Sequence, residues 1–493
     1  MNHPNTLVAN KILLIVSFFI IILFAWTGYL ASDNMMYTSA AQGWLSDPGY
    51  LGKNHWSLRT PAVIPIVISF GIFGVNEYSL ALTSTFYFAL LCILFYWITD
   101  RVYDARAALI STLVLITTPL LALESTIAGC DLAEVFFIFT SLTLAYLGTR
   151  KSAPLYMIAA GISAGLAWMT RETSTALLLF YGLQFLLGRK EHRKLLFILL
   201  ASAATVILVE IFYFYIRTGD FIYRLMIDID QGRSDPTHMI AKAHGTGNIE
   251  ISPLLNPFLT IFANQEFMFL FYMAIPASIY FLRDGSGKHT FARHLVWMMI
   301  LWFVVISYLL PVRELPRYYM VSATSAAIIT GLWLYQLSRK YRTIAYILLI
   351  GLVTSSLFGI YIDNKQPLEG EHRLTQWIMS HQDQDIYTDP VTFSKSKLLL
   401  EAAGTRDRVH AGLPPAGELY FYNPNRVYES TREPGYSQRY SVPKSWELLE
   451  TFPAYERPVI RCMLDITGIA SRLPESIYRK LVKPNRDTSI YHH

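Results

Sequence analysis

Eleven apolar runs, each long or nearly long enough to cross a bilayer, constrain the fold of this chain more than any other feature. A transmembrane helix needs about 20 predominantly apolar residues. In chain order the runs are Ile12–Leu30, Leu80–Ile98, Ala107–Leu123, Leu132–Leu147, Leu155–Met169, Thr175–Leu187, Leu195–Ile216, Phe258–Leu282, Leu295–Leu310, Met320–Leu337 and Ile344–Ile362. Val63–Phe73 is too short to span and is expected to lie in the interface or to re-enter the membrane. The sequence predicts an α-helical polytopic membrane protein with about 11 transmembrane helices.

The composition excludes a soluble protein of this size. Only 16% of the residues are charged and 53% are hydrophobic, whereas soluble domains are about a quarter charged. The net charge of +5 calls for no nucleic acid, because cytoplasmic loops of membrane proteins carry excess lysine and arginine. The three cysteines, at unrelated spacings, predict neither a disulfide framework nor a thiolate metal site.

Basic residues orient the predicted helices. If the runs alternate in direction, the arginine- and lysine-rich loops after the second, fourth, sixth, eighth and tenth runs all fall on one side, which the positive-inside rule makes the cytoplasm. These residues are Arg101, Arg106, Arg150, Lys151, Arg189, Lys190, Arg193, Lys194, Arg283, Lys288, Arg293, Arg339, Lys340 and Arg342. We expect an integral plasma (inner) membrane protein with a cytoplasmic N-terminus and an extracytoplasmic C-terminus.

The tail is expected to form a second domain. Residues 1–362 hold the apolar runs, and residues 363–493 alternate short predicted strands with helices, which favours a small extracytoplasmic α/β domain. The predicted helices are Leu374–His381, Lys395–Ala403 and Trp446–Thr451, and the predicted strands are Asp385–Thr388, Arg408–Ala411, Glu418–Tyr422 and Pro458–Met463. The tail has no Gly-rich phosphate loop or catalytic triad pattern, so we interpret it as a lid or recognition module.

Charged residues gather at the predicted outer ends of the helices. Asp33 follows the first run directly, and Asp131 precedes the fourth. Any one such charge is more often a boundary marker that reaches water than a functional group. Carboxylates together with several arginines, however, suit a site that deprotonates a hydroxyl and neutralises a departing phosphate. Asp228-Ile-Asp230 matches the D-x-D pattern of nucleotide-sugar transferases, but it is expected outside, where nucleotide sugars are not supplied.

Five segments in order resemble the polyprenyl-phosphate-dependent GT-C glycosyltransferases of the 39/83 type, the protein mannosyltransferase and lipid A aminoarabinose transferase group. Asp33-Asn34…Tyr37 is similar to the acidic motif after the first helix of that group. The others are His55-Trp-Ser-Leu-Arg59-Thr-Pro61 with Phe73-Gly-Val-Asn-Glu-Tyr78, Glu124–Asp131, Ala160–Arg171 and Pro316-Arg-Tyr-Tyr319. The resemblance covers about the first 340 residues.

The resemblance implies an enzyme that moves a sugar from a polyprenyl-phosphate donor to an acceptor hydroxyl on the extracytoplasmic face, with inversion. It implies that Asp33 is the general base, and that Asp131 orients the acceptor or shares a cation. Arg59, Arg171 and Arg317 would hold the lipid phosphate. The remaining residues expected to bind phosphate or acceptor are Asn34, Tyr37, His55, Glu172, Arg313 and Tyr318.

This chain departs from the family pattern in three places. Asn34 replaces the second acidic residue of the first motif, Leu58-Arg59-Thr60 stands where relatives often have an acidic or polar residue, and Arg171 replaces a lysine, which keeps a basic phosphate contact. Fewer carboxylates therefore remain for a divalent metal, which Asp33 and Asp131 would hold if the enzyme uses one. The sequence implies no other cofactor.

Two other functions remain open: a flippase or transporter of lipid-linked sugars, and a non-catalytic member that only binds lipid. A transporter typically has charges near mid-bilayer and paired broken helices in matching halves, and the sequence shows neither. The acceptor is a glycolipid, a cell-wall polymer or a protein, and neither it nor the sugar follows from the residues.

Overall fold

The computed structural model describes residues 4–234, 252, 254–284, 287–310, 315–364, 366–428 and 434–493. These residues divide into two compact units. The first comprises Met1–Trp26, Met36–Ser69 and Ala81–Asn364, and the second comprises Thr27–Met35, Phe70–Leu80 and Lys365–His493.

The first unit is helical. Its helices, some of which begin or end in the short segments of the second unit, are α1 (Pro4–Phe24), α2 (Asp33–Ser46), α3 (His55–Leu58), α4 (Thr60–Phe73), α5 (Glu77–Val102), α6 (Ala105–Thr117), α7 (Pro119–Glu124), α8 (Asp131–Lys151), α9 (Pro154–Thr170), α10 (Thr175–Leu187), α11 (Arg193–Thr218), α12 (Tyr223–Ser234), α13 (Asn256–Phe262), α14 (Leu270–Arg283), α15 (Thr290–Val304), α16 (Met320–Ser338) and α17 (Arg342–Asp363). Short 3₁₀ turns cover Glu172–Ser174, Lys190–His192, Gly287–His289 and Pro316–Tyr319, and a π-helical turn covers Val305–Leu309.

Helix covers most of each of the eleven apolar runs, which confirms a polytopic helical membrane protein, but residues 263–269 interrupt the run Phe258–Leu282 between α13 and α14. Six helical segments of the described chain are long and apolar enough to cross a membrane: Glu77–Val102, Asp131–Lys151, Lys190–Thr218, Gly287–Leu309, Pro316–Ser338 and Arg342–Asp363. The first helix ends at Phe24, six residues before the expected end at Leu30. The run Ala107–Leu123 divides into α6 and α7 because Pro119 cannot donate the hydrogen bond that a continuous helix needs.

Small residues bring the core helices close together. A Cβ at Gly161 of α9 would lie 2.3 Å from the Leu199 carbonyl oxygen of α11, and one at Gly165 would lie 2.5 Å from the Cβ of Val206. Gly161-Ile-Ser-Ala-Gly165 is thus a small-xxx-small pattern that lets two membrane helices approach closely. On α16, a Cβ at Gly331 would lie 2.3 Å from the Cα of Ser111 in α6. Helix α16 is central, because every residue from Met320 to Leu332 is buried.

The second unit contains a mixed sheet. In the described part of the tail the strands are β1 (Ile386–Thr388), β2 (Val409–Ala411), β3 (Leu419–Tyr422), β4 (Glu447–Phe452) and β5 (Thr488–His492), in the order β2-β1-β3-β5-β4. Strand β1 runs parallel to β2 and β3, and β5 is antiparallel to β3 and β4. The helices are α18 (Glu369–Ser380), α19 (Pro390–Ala402), α20 (Pro424–Val427), α21 (Tyr436–Tyr440), α22 (Pro458–Ile466) and α23 (Glu475–Val482), with 3₁₀ turns at Arg406–Arg408 and Ala470–Arg472.

Two predicted elements of the tail are wrong. Trp446–Thr451 is predicted to be helical, but Glu447–Phe452 is an exposed edge strand whose pairing with β5 supplies its backbone hydrogen bonds. Pro458–Met463 is predicted to be a strand, but α22 begins at Pro458, since proline is favoured in the first turn of a helix. Short apolar runs of this length fit either period.

Candidate active site

Arg171 and Asp131 form a buried ion pair at the ends of two core helices. Asp131 is the first residue of α8, where the helix dipole favours a carboxylate. Arg171 follows the last residue of α9 in extended backbone (φ −161°). Its Nη1 donates to Asp131 Oδ1 and lies 4.0 Å from Glu134 Oε2. Removing either partner would leave a buried charge uncompensated, which typically costs about 3–5 kcal/mol.

Glu134, one turn further along α8, is held by the residues that follow Arg171. Thr173 Oγ1 donates to Glu134 Oε1 at 2.5 Å, and Ser174 Oγ donates to the same oxygen at 2.8 Å. The segment Arg171–Ser174 therefore bonds two carboxylates of α8: Arg171 bonds Asp131, and Thr173 and Ser174 bond Glu134. Together these bonds fix the position of the Arg171 guanidinium.

Arg59 reaches the same region from the turn between α3 and α4. It is 8% exposed, and its Nη1 donates to Tyr37 Oη at 3.1 Å and to Cys130 Sγ at 3.4 Å. Its Nη2 lies 3.8 Å from Glu172 Oε2. The buried Nε has no hydrogen-bond partner among the described residues, so this guanidinium keeps unused donor capacity.

A second arginine network adjoins the first through Glu172. Arg224 of α12 donates from Nε to Glu172 Oε1 at 2.7 Å and from Nη1 to Glu210 Oε1 at 2.6 Å. It also bonds the carbonyl oxygens of Trp168 and Met169, at 3.2 and 3.0 Å. These bonds fix α12 against the ends of α9 and α11.

Asp228, one turn after Arg224 on α12, has a perturbed titration. Partial burial, followed by the nearby Glu172 carboxylate, raises the pKa of Asp228 to about 7. A protonated Asp228 can donate to Glu172, whereas an ionised one would repel it. Asp228 is therefore partly neutral at physiological pH.

Tyr318 and Arg317 complete the cluster from the turn before α16. The Tyr318 ring lies 4.2 Å from the Arg171 guanidinium carbon and 5.9 Å from that of Arg317. Such stacking stabilises a cation while leaving its edge free to donate. Arg317 and Arg59 both act electrostatically on Asp131, and Trp302 Nε1 bonds the Tyr318 carbonyl at 2.8 Å, which holds the turn.

Seven of the residues expected from the sequence thus come together in the first unit: Tyr37, Arg59, Asp131, Arg171, Glu172, Arg317 and Tyr318. His55 is half-buried and stacks on Trp56 with a centroid distance of 3.8 Å. Arg313 lies outside the described residues.

Asp33 and Asn34 belong to the second unit, so their joining with the cluster stays a prediction. Asp33 begins α2, and Asn34 is buried and accepts from the Ser32 backbone N–H at 3.0 Å. Ala31, just before them, has φ +50°, a left-handed conformation that costs an alanine about 1–2 kcal/mol.

The described residues do not present an evident metal-binding set. They contain no group of three or more histidine, cysteine, aspartate or glutamate side chains placed to share an ion. Asp131, one of the two expected ligands, is paired with Arg171. A metal on Asp33 and Asp131 therefore stays a prediction.

Sequence reasoning missed Arg224 and Cys130. Arg224 lies between the seventh and eighth apolar runs, and no motif marks it. Glu134 and Glu210 stand out in the sequence as charges near helix ends, but their arginine and hydroxyl partners are far away along the chain.

The arrangement can bind an anionic group. Three arginines among the described residues of the first unit, Arg59, Arg171 and Arg224, are buried, and each contacts carboxylates, carbonyls or aromatic rings. Preorganised guanidinium groups suit phosphate, because their planar donors match two of its oxygens.

Comparison with known proteins gives the class. Residues 52–215 match the family model described as dolichyl-phosphate-mannose-protein mannosyltransferase. The fold is similar to that of apo ArnT from Cupriavidus metallidurans, with a TM-score of 0.56 and 13% identity over 90% of this chain and 96% of that one. The same protein bound to undecaprenyl phosphate gives 0.52 and 12%, over 99% and 98%.

A third similar structure is the Archaeoglobus fulgidus oligosaccharyltransferase in complex with Zn and sulfate, with a TM-score of 0.50 and 13% identity over 80% of this chain and 62% of that one. No curated protein sequence matches the chain significantly. Residues 52–215 thus match a glycosyltransferase family model, and the chain has the fold of ArnT.

Proposed function

We propose that this enzyme transfers a sugar from a polyprenyl-phosphate donor to an acceptor hydroxyl on the extracytoplasmic face of the plasma membrane, with inversion at the anomeric carbon. The N-terminus is cytoplasmic and the C-terminal unit extracytoplasmic. Arg59, Arg171 and Arg317 hold the donor phosphate, and Arg224 fixes Glu172 beside Arg59.

The observation that carries this proposal is the buried arginine cluster at the ends of apolar helices. A leaving polyprenyl phosphate gains negative charge as its bond to the sugar breaks, and fixed cations stabilise that charge best where water is excluded. Arg59 has a buried Nε with no partner among the described residues, and Arg171 is ordered by Asp131, Glu134 and Tyr318. A structural neighbour, Cupriavidus metallidurans ArnT, binds undecaprenyl phosphate, which supports a lipid of this kind.

The proposed reaction is a single displacement. The acceptor oxygen forms a bond to the anomeric carbon while the bond from that carbon to the phosphate oxygen breaks. The acceptor proton passes to Asp33, and the phosphate leaves carrying the bonding electron pair. One displacement inverts the anomeric configuration, and the arginines supply positive charge to the leaving phosphate.

Asp131 acts chiefly through Arg171 in this proposal. Its carboxylate holds the guanidinium in place and, with Arg171, Arg59 and Arg317 around it, is stabilised as an anion. Because an ionised, paired carboxylate is a weak base, Asp33 is the better general base. The acceptor is a glycolipid, a cell-wall polymer or a protein.

Reconstitution with a panel of donors tests the function. Purified protein in liposomes is given polyprenyl-phosphate sugars with extracts of cell-envelope acceptors, and products are identified by mass spectrometry. Glycolipids and glycoproteins of deletion and wild-type cells are compared in parallel, to identify the missing sugar. We expect acceptor-dependent release of polyprenyl phosphate. Movement of intact donor across the bilayer without any release would instead establish a flippase.

A further inference from the structure

A large basic cavity opens in the first unit, away from the candidate active site. Its volume is about 990 Å³, and it lies among the ends of α5, α8, α10, α11, α15 and α16. Five arginines and lysines line it in the described part of the chain: Arg150, Arg189, Lys288, Arg293 and Arg339. Three histidines and four large aromatic side chains, including Trp297, join them.

The cavity lies at the other end of the helices that carry the active-site cluster. On α8, Asp131 is the first residue and Arg150 is near the last. Nineteen residues separate them, and at about 1.5 Å each they are about 30 Å apart, the thickness of a bilayer hydrocarbon core. The cavity therefore faces the opposite membrane surface, the side that the positive-inside rule assigns to the cytoplasm.

Among the described residues, the lining of the cavity carries more positive charges than the adjacent residues carry negative ones. The described lining residues include no aspartate or glutamate. Glu191 lies 3.3 Å from Arg189, Asp284 lies 3.5 Å from His289, and Asp104 accepts from Tyr335. The five arginines and lysines of the lining outnumber these three carboxylates. The resulting excess of positive charge favours an anionic ligand.

The basic residues of the cavity are arranged differently from the loop charges that merely orient a membrane protein. Scattered loop charges orient a membrane protein without forming a cavity. Here residues from several helices converge, and Tyr103, Tyr146 and Tyr335 stand between them with hydroxyls that bond His289, Arg150 and Asp104. The convergence of cations and ordered hydroxyls from separate helices points to a ligand.

Exposed apolar side chains in and next to the lining of the cavity indicate that the anion belongs to a lipid. Trp297 lines the cavity and is 53% exposed, and Leu187, which precedes the lining residue Gly188, is 82% exposed. A free phosphate ion gains nothing from such surface, whereas the acyl chains of a lipid cover it. Basic pockets between transmembrane helices on the cytoplasmic side commonly bind anionic head groups.

We propose that this cavity binds the phosphate head group of an anionic glycerophospholipid from the leaflet opposite the active site. The site is independent of the transfer reaction and stands whether or not the proposed function holds.

Native mass spectrometry and thermal unfolding of the full chain test the proposal, with phosphatidylglycerol, phosphatidylcholine or inorganic phosphate added. The variant is R150Q/K288Q/R339Q, which removes three exposed charges of the cavity. The matched control is R101Q/K340Q/R342Q, which removes three exposed charges from the same side but outside the lining.

We expect the wild type and the control to retain phosphatidylglycerol and to unfold at higher temperature with it than with phosphatidylcholine. The cavity variant should bind it about tenfold or more weakly, since each basic residue near an anionic surface is worth roughly a fivefold change in affinity. An equal loss of phosphatidylglycerol binding in both triple variants would show that general surface charge, and not this cavity, binds the lipid. Stabilisation by inorganic phosphate equal to that by phosphatidylglycerol would overturn the assignment to a lipid.

Discussion

The buried arginines of the candidate active site differ in how their donors are used. Arg224 is bonded along its full edge, to Glu172, Glu210 and two carbonyls. Arg59 and Arg171 each have fewer acceptors and an ordered position. In the proposed reaction, this difference makes Arg224 a positioning residue and leaves the donors of Arg59 and Arg171 for the phosphate.

Asp33→Asn should reduce turnover by about 100-fold or more while leaving donor binding near normal. Asparagine has nearly the same shape but cannot accept the acceptor proton, and general-base catalysis is worth about 10²–10⁴ in rate. The measurement is kcat for sugar transfer in liposomes, with donor binding followed separately.

Asp47→Asn is the matched control, because Asp47 immediately follows the last residue of the same helix, α2. Full turnover by a well-folded Asp33→Asn protein would remove Asp33 as the base. Asp131→Asn should cost less, unless both acids share a metal, in which case EDTA should inactivate the wild type as well.

Stability should fall as the pH rises from about 4 to about 7, partly because of Asp228. The folded protein holds a proton on Asp228 up to about pH 7, whereas the unfolded chain releases it near the ordinary aspartate pKa of about 3.9. Because the folded state binds the extra proton between these values, raising the pH through this window favours unfolding, with no further effect above it.

Thermal unfolding in detergent across pH 4–8 checks this prediction. Asp228→Asn should flatten the decline, whereas Asp230→Asn, at an exposed position two residues along α12, should keep it. The same pH dependence in wild type and Asp228→Asn would contradict the role given to Asp228.

Single residues of the cluster were predictable only where a sequence motif marked them. Arg59, Arg171 and Tyr318 fall in segments that resemble family motifs, and the structure brings them together. Arg224 has no motif, and its partners Glu172 and Glu210 are brought to it only by the packing of α9, α11 and α12. Such long-range pairing leaves no local pattern in a sequence.

Among the elements, the α9–α11 contact depends on glycine. Gly161→Ala should destabilise the protein by about 1–3 kcal/mol, the usual cost of overpacking, because the new methyl group would meet the Leu199 carbonyl and Ser202 Cβ. Gly182→Ala on α10 is the control, since a methyl group there would have no heavy atom of another side chain or helix within 4 Å among the described residues. Thermal unfolding in detergent compares the two, and equal stability would show that α9 and α11 can move apart freely.

The membrane helices were predictable because each must bury about 20 apolar residues, whatever its neighbours are. The tail was less predictable: β4 is an exposed edge strand with an apolar Leu448-Leu449 pair, and α22 is short and mostly exposed. The segment Glu447–Phe452 forms strand β4 because it pairs with β5, about 40 residues later in the chain. The strand β5 was not predicted at all, since a five-residue segment at the chain end gives little periodicity.

At the scale of the whole molecule, the proposed topology rests on the asymmetric distribution of basic residues. Cys462 is exposed, whereas Cys92 and Cys130 are buried. If the C-terminal unit is extracytoplasmic, an impermeant thiol reagent should label the wild type on spheroplasts and should not label Cys462→Ala. A cysteine at exposed Lys340, placed in the Cys462→Ala background, should react only after the membrane is opened. The reverse pattern would invert the assignment of the active site to the outer face.

The most direct test of the central claim, that buried arginines bind the lipid phosphate of a glycosyl donor, is the rate of polyprenyl phosphate release as donor concentration varies. We predict that Arg59→Ala and Arg171→Ala each raise the donor KM or lower kcat/KM by about tenfold or more, as expected for losing a charged hydrogen bond. Lysine at either position should restore part of the activity. Arg217→Ala, which removes an exposed arginine bonded to the Gly49 carbonyl, should behave as wild type. Wild-type donor saturation in both alanine variants of the cluster would contradict the claim.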